Sequence, residues 1–219
     1  MKPHLFHAKP LAAAFLVALL AGPLQAESSY SIKKIEPTFV DSPQITAGGY
    51  RKQQAGGGRP VPWLEVDVSF EHEEGRDGPK FSDDVTVHFY VLLNNAALTP
   101  DRQATLLTGS VTLTDIPVGK GLHAAAFVSP QTLARFFEGK VPPSINQAVT
   151  DVGATLTGPA GLATLGSFKG TVDLKQSKGW WDAETGMTKV PGRILDKSQT
   201  PFSALSWDYY QPPKAKAGN

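Results

Sequence analysis

The chain holds 219 residues, of which 41% are hydrophobic and 19% charged, with 21 Gly, 18 Pro and no Cys. That length and apolar share suit one ordinary globular domain with a core of its own. The missing cysteine excludes disulfides, thiolate zinc sites, thiol nucleophiles, c-type haem and a lipidated N-terminal cysteine, and a formal net charge of +1 leaves no electrostatic footprint for nucleic acid.

The first segment reads as a targeting signal. Met1–Pro10 carries Lys2 and Lys9 and no acid, and Leu11–Ala21 is unbroken apolar sequence. Gly22-Pro23 then breaks any helix, and Leu24-Gln25-Ala26 ends on a small residue. This three-part layout predicts a signal peptide over 1–26, cleaved after Ala26. The apolar run is too short for a membrane span, which takes about 20 residues. Removing those 26 residues from 219 leaves 193, with 19 basic side chains against 20 acidic ones. No later segment is apolar enough to span. The expectation is therefore an exported protein, periplasmic, surface-bound or extracellular, with no stable membrane insertion after cleavage.

Strand periodicity dominates the mature chain. A first, weaker strand is expected at Tyr30–Glu36. The Gln53–Pro62 stretch, QQAGGGRPVP, is a loop, flexible and then stiff. In Trp63–Phe70, Leu64, Val66, Val68 and Phe70 share one face and Glu65, Asp67 and Ser69 the other. Glu71–Pro79 reads as an acidic turn. In Val85–Leu93, Val85, Val87, Phe89, Val91 and Leu93 are in phase, opposite Thr86, His88 and Tyr90. Strict period two of this kind marks half-buried antiparallel strands. Further strands are expected at Leu106–Thr114, Leu122–Val128 and Val149–Leu156, and another from Phe168 to Lys175. One short helix fits after Ser129, with Ser129 as cap, Pro130 in the first turn and Leu133, Phe136 and Phe137 as an apolar stripe. Gly139 and Pro142-Pro143 stop it. About seven strands separated by turn residues predict an all-β, immunoglobulin-like β-sandwich with one short helix. The domain spans 27–210, ends in an aromatic flap, and is followed by a flexible tail over 211–219.

Chemistry-bearing motifs are few. Glu71, Glu73, Glu74 and Asp77 suit a hard cation by type, but their spacing is not that of an EF-hand and Arg76 interrupts them, so a solvated turn is the expectation. His72, His88 and His123 show no HExxH pairing. Gly-x-Ser-x-Gly and GxxxxGK[ST] are both absent, and Gly56-Gly57-Gly58-Arg59 is no phosphate loop. Asp83 and Asp84 are adjacent and point to opposite faces when extended, a poor acid/base pair. A hydrolase would at minimum need His88 or His123 in a cleft beside an acid and a hydroxyl. The sequence thus favours a protein with no catalytic site, no cofactor and no metal.

The aromatic C-terminal third is the most distinctive stretch. Three of the four tryptophans fall after position 179, and Phe202, Tyr209 and Tyr210 accompany them. Large aromatics are usually well buried, so Trp181 and Trp207 are expected to pack inward as a flap over the sandwich. The competing use is contact: Trp180, Trp181, Tyr209 and Tyr210 are the candidate residues for binding a partner protein or stacking on a glycan.

The stretch Gly179-Trp180-Trp181-Asp182, with Arg193–Tyr210 (RILDKSQTPFSALSWDYY), resembles the C-terminal signature of a secreted family from Verrucomicrobia and related bacteria. Ile32–Phe39 and WLEVDVSF at Trp63–Phe70 fit the same pattern. The family includes a protein encoded beside type IV pilus genes in a mucus-dwelling member. The resemblance implies an immunoglobulin-like sandwich with some likeness to archaeal pilus-type components. It also implies a surface or pilus-associated role with protein partners in the envelope, and it supplies no catalytic residues. The paired cysteines of antibody domains are missing, so only the broader sandwich is implied.

Overall fold

The computed structural model describes residues 29–43, 61–161, 163–170, 172, 178–183, 185–206 and 208–215. The expected signal peptide, most of the Gln53–Pro62 loop, Trp207 and the last four residues lie outside the described residues. The strands are β1 (Ser29–Val40), β2 (Trp63–Glu73), β3 (Phe81–Ser82), β4 (Val85–Leu93), β5 (Ala104–Leu113), β6 (Ile116–Pro117) and β7 (Gly119–Val128). Helices α1 (Pro130–Phe136) and α2 (Ile145–Ala148) follow, then β8 (Val149–Thr157), β9 (Ala163–Ser167), β10 (Met187–Pro191) and β11 (Leu195–Asp196).

Two sheets stack face to face, in the orders β1-β2-β7-β11 and β10-β5-β4-β8-β9, while β3 and β6 form a separate two-stranded ribbon. The all-β sandwich expected from periodicity is the observed fold. Its reason is visible strand by strand. Every inward position of β4 (Val85, Val87, Phe89, Val91 and Leu93) is fully buried, facing Leu64, Val66, Val68 and Phe70 from β2 in one core. Each such side chain contributes about 1.5–3 kcal/mol by leaving water. Ser129 caps α1 as expected, its hydroxyl accepting from Thr132 N at 3.1 Å, with Pro130 in the first turn.

The structure adds several features to the sequence expectations. Eleven strands occur among the described residues: β3, β6 and β11, of two residues each, are too short to show a period, and β9 and β10 have five each. One pair, β10 with β5, is parallel. Of the strand expected from Phe168 to Lys175, residues 171 and 173–175 lie outside the described residues; β9 precedes it, and Phe168–Gly170 is a bend held by Asp151, which accepts from Lys169 N at 2.8 Å. The start of the tail is tied to the sandwich: Lys214 N donates to Thr112 O at 2.7 Å and Thr114 N to Pro212 O at 3.1 Å, so 212–214 pair with the end of β5.

The C-terminal chain changes sheets between β10 and β11. β10 lies beside β5 in one sheet, and β11 pairs with β7 in the other. Between them Ile194 enters the core over Gly109, where a Cβ would come within 2.7 Å of the Ile194 side chain. The sandwich is thereby closed along that edge, and Phe202, Tyr209 and Tyr210 lie against the outside of the four-stranded sheet.

Candidate functional site

The aromatic candidates divide between opposite outer faces. Trp180 and Trp181 sit on the five-stranded sheet in a single 3-10 turn, Trp180–Asp182. Trp181 is 2% exposed. Its ring lies flat on Tyr90, with centroids 4.6 Å apart and planes 7° apart, among Leu106, Leu165 and Met187. Gly153 on β8 makes room, since a Cβ there would meet the indole at 2.1 Å. Trp180 crosses Trp181 edge-on and donates from Nε1 to Ser167 Oγ at 3.0 Å. The inward packing expected of Trp181 is what the structure has.

Tyr209 and Tyr210 lie on the other sheet. Glu65 and Asp67 point outward from β2, and His123 points outward from the neighbouring β7. Tyr209 stacks on His123 with centroids 4.1 Å apart and donates to Asp67 Oδ2 at 3.1 Å. Tyr210 donates to Glu65 Oε1 at 2.6 Å. His123 Nδ1 donates to Asp67 at 3.0 Å, since an ionised carboxylate only accepts. Burial raises the Glu65 pKa against the lowering effect of the Tyr210 bond. The Tyr210 phenol is pushed up strongly, first by burial and then by its bond to Glu65. Phe202 adds an apolar contact, stacking on Phe127 at 4.9 Å and meeting Trp63 edge-on.

The four aromatics therefore do not share one surface. Trp181 is enclosed, Trp180 half-buried, and Tyr209, at 48% exposure, is the most open of them. His123 does stand beside an acid and a hydroxyl, as a hydrolase would require. Tyr209 covers its ring, however, and its side chain is 17% exposed. His88 stands on the opposite sheet.

The acidic turn is shorter than expected, because β2 continues to Glu73. Its carboxylates diverge. Glu71 pairs with Lys33 at 2.8 Å, while Glu74 approaches the buried His72 at 3.3 Å. Among the described residues no three His, Asp or Glu side chains gather as a metal site.

Sequence periodicity missed one exposed feature, the ribbon of β3 and β6. Phe81 on β3 is 60% exposed, and Val118, just past β6, is 41% exposed. Phe81 pairs with Pro117, so these two apolar groups share one face of the ribbon, while Val118, whose N–H donates to Lys80 O at 3.0 Å, falls on the other by alternation. The ribbon is tied to the sandwich by Tyr30, whose hydroxyl donates to Ser82 at 2.8 Å and whose ring stacks on His72. His72 Nδ1 in turn reaches Pro117 O at 3.1 Å. A two-residue strand is too short to carry a period, and the only sequence signal was Phe81 standing alone in a polar turn.

A cysteine-free β-sandwich with both outer faces covered by its own C-terminal chain is the class these features define. A protein-family model spans residues 23–217, nearly the whole sequence, and the chain belongs to that family. A crystal structure of a protein from Akkermansia muciniphila, a member of the Verrucomicrobia, has a similar fold. The TM-score is 0.70 at 20% identity, covering 87% of this chain and 95% of that one. No curated protein matches the sequence. Among the described residues no helix is long and apolar enough to cross a membrane.

Proposed function

We propose that the protein is an exported, non-enzymatic envelope or surface component that binds other proteins, in a pilus-associated or adhesive role. The observation that carries this reading is Phe81, an exposed apolar side chain beside Pro117 on a braced ribbon. Isolated apolar residues on a surface are ordinary, but an exposed Phe beside a Pro on a hydrogen-bonded ribbon suits a docking point. Support also comes from the signal-like N-terminus and from the verrucomicrobial relative of the same fold. Docking by strand addition is disfavoured. The long edge strand β1 carries Lys33, Lys34 and Pro37 and a bulge between Ile32 and Lys34, all features that block edge pairing.

A photo-crosslinking amino acid placed at position 81 tests the reading in envelope extracts of the producing cells. Pilus or surface proteins should be trapped, and Phe81→Ser should abolish their capture by the otherwise unmodified protein. The same proteins recovered equally with Phe81→Ser would sink the docking tip. Export is tested separately: the secreted protein should begin at Glu27, and an intact Met1 on all of it would exclude cleavage.

A further inference from the structure

The outer face of β4 and β5 carries a cleft that the docking tip does not use. The register sets His88 opposite Ser110 and Tyr90 opposite Thr108. Four side chains with imidazole or hydroxyl groups thus form a two-by-two patch on one face. The opposite wall comes from Pro191, Gly192, Ile194, Leu195 and Gln199. This cleft exists because the chain leaves the sheet at Gly192. Gly192 N donates to Thr108 O at 3.2 Å, and its φ of +72° then turns the backbone inward so that Ile194 reaches Gly109. A left-handed residue at that corner favours glycine. Beyond it the face of β5 is open until Lys214 pairs with Thr112.

The cleft encloses about 610 Å³, and a neighbouring hollow of about 380 Å³ meets it at Ser110. Small-molecule sites span about 300–1,000 Å³. The lining of the larger cleft sets the ligand chemistry. Apart from His88 it contains no acidic or basic side chain, although 19% of the chain is charged. Desolvation lowers the His88 pKa and favours the neutral ring, which donates from one nitrogen and accepts at the other. The hydroxyls of Tyr90, Thr108 and Ser110 likewise donate and accept. Tyr90 is fixed in place by Trp181 on its ring and by a hydrogen bond with Thr155. An anionic ligand would find no cation here, and an apolar one would strand polar groups without partners. A ligand dense in hydroxyls matches both features.

We propose that this cleft binds a neutral, hydroxyl-rich sugar unit of a glycan through His88, Thr108 and Ser110. The site is separate from the Phe81 tip and uses neither Trp180 nor the C-terminal tyrosines as a stacking platform.

The test titrates isotope-labelled mature protein with galactose, N-acetylglucosamine and lactose, read by amide NMR shifts. At least one sugar should give saturating shifts at Thr108, Ser110 and Gly192, and glucuronate should bind more weakly. Thr108→Val with Ser110→Ala removes two hydroxyls and should weaken that sugar about tenfold or more. Ser110→Ala alone serves if the pair does not fold. Absence of saturating shifts in the cleft with all three sugars overturns the proposal. So do shifts confined to the Tyr209 face, or equal binding by the hydroxyl-deficient variant.

Discussion

The same C-terminal third packs against the two outer faces of the sandwich by opposite means. Over the five-stranded sheet the cover is apolar: Trp181 lies flat on Tyr90 among Leu106, Leu165 and Met187. Over the four-stranded sheet it is largely polar. Tyr209 and Tyr210 hold Asp67 and Glu65 by their hydroxyls, and Phe202 on Phe127 is its main apolar contact. Burial of an indole contributes several times the net stabilisation of a single hydrogen bond and does not change with pH. The first face should therefore be the stronger, and the second should respond to protonation.

The largest expected effect is on the apolar face. Trp181→Ala removes a nearly enclosed indole and should cost about 3–5 kcal/mol in chemical denaturation. Gly153→Ala tests the same contact from below. Its Cβ would lie 2.1 Å from the indole, so the ring must move, at a cost of about 1–3 kcal/mol. Acrylamide should leave Trp181 fluorescence largely unquenched. Wild-type-like denaturation midpoints in both variants would mean that the ring is not packed as described.

Phe202→Ala is the matching experiment on the polar face. Phe202 is half-buried, so losing its stack on Phe127 should cost about 2 kcal/mol. A loss equal to that of Trp181→Ala would erase the contrast between the faces.

The sandwich was legible because its central strands are long. β4 begins and ends where the alternation from Val85 to Leu93 does, since each second side chain had to enter the core. β2 outran its alternation by continuing through the acidic residues to Glu73, because its partners β1 and β7 extend alongside. The division of the aromatics was not legible. Trp180 and Tyr209 share a composition signal, but the sheet each reaches depends on the crossing at Ile194, a contact made with Gly109, eighty-five positions earlier. The cleft was equally hidden. His88 was visible on the polar face of its strand, whereas its neighbour Ser110 is set by strand register. The wall at Gly192 depends on where the chain leaves the sheet.

The pH response separates the faces more sharply. Burial raises the Glu65 pKa, so the folded protein takes up this proton at a higher pH than the unfolded chain. Its carboxyl therefore favours folding as pH falls toward about 4.5 and disfavours it as pH rises above the folded value. The Tyr210 hydroxyl offsets that cost by donating to the ionised carboxylate. Tyr210→Phe should then lose about 1 kcal/mol at neutral pH, and the deficit should shrink near pH 4, where Glu65 is protonated in both states. A deficit independent of pH would place the role of Tyr210 in its ring rather than in its bond to Glu65. Trp181→Ala should show no such change across the same range.

Tyr209 should give the smallest effect. Its side chain is the most exposed of the four candidates, and its hydroxyl bond to Asp67 is long at 3.1 Å. Tyr209→Phe keeps the ring over His123 and should alter stability by no more than about 0.5 kcal/mol. Tyr209→Ala removes the cover as well. The rate at which diethyl pyrocarbonate modifies His123 distinguishes the two: unchanged in Tyr209→Phe, faster in Tyr209→Ala. Equal rates in both variants would show that the ring does not shield His123. With the shielding in place, the imidazole beside Asp67 is covered by the protein's own chain.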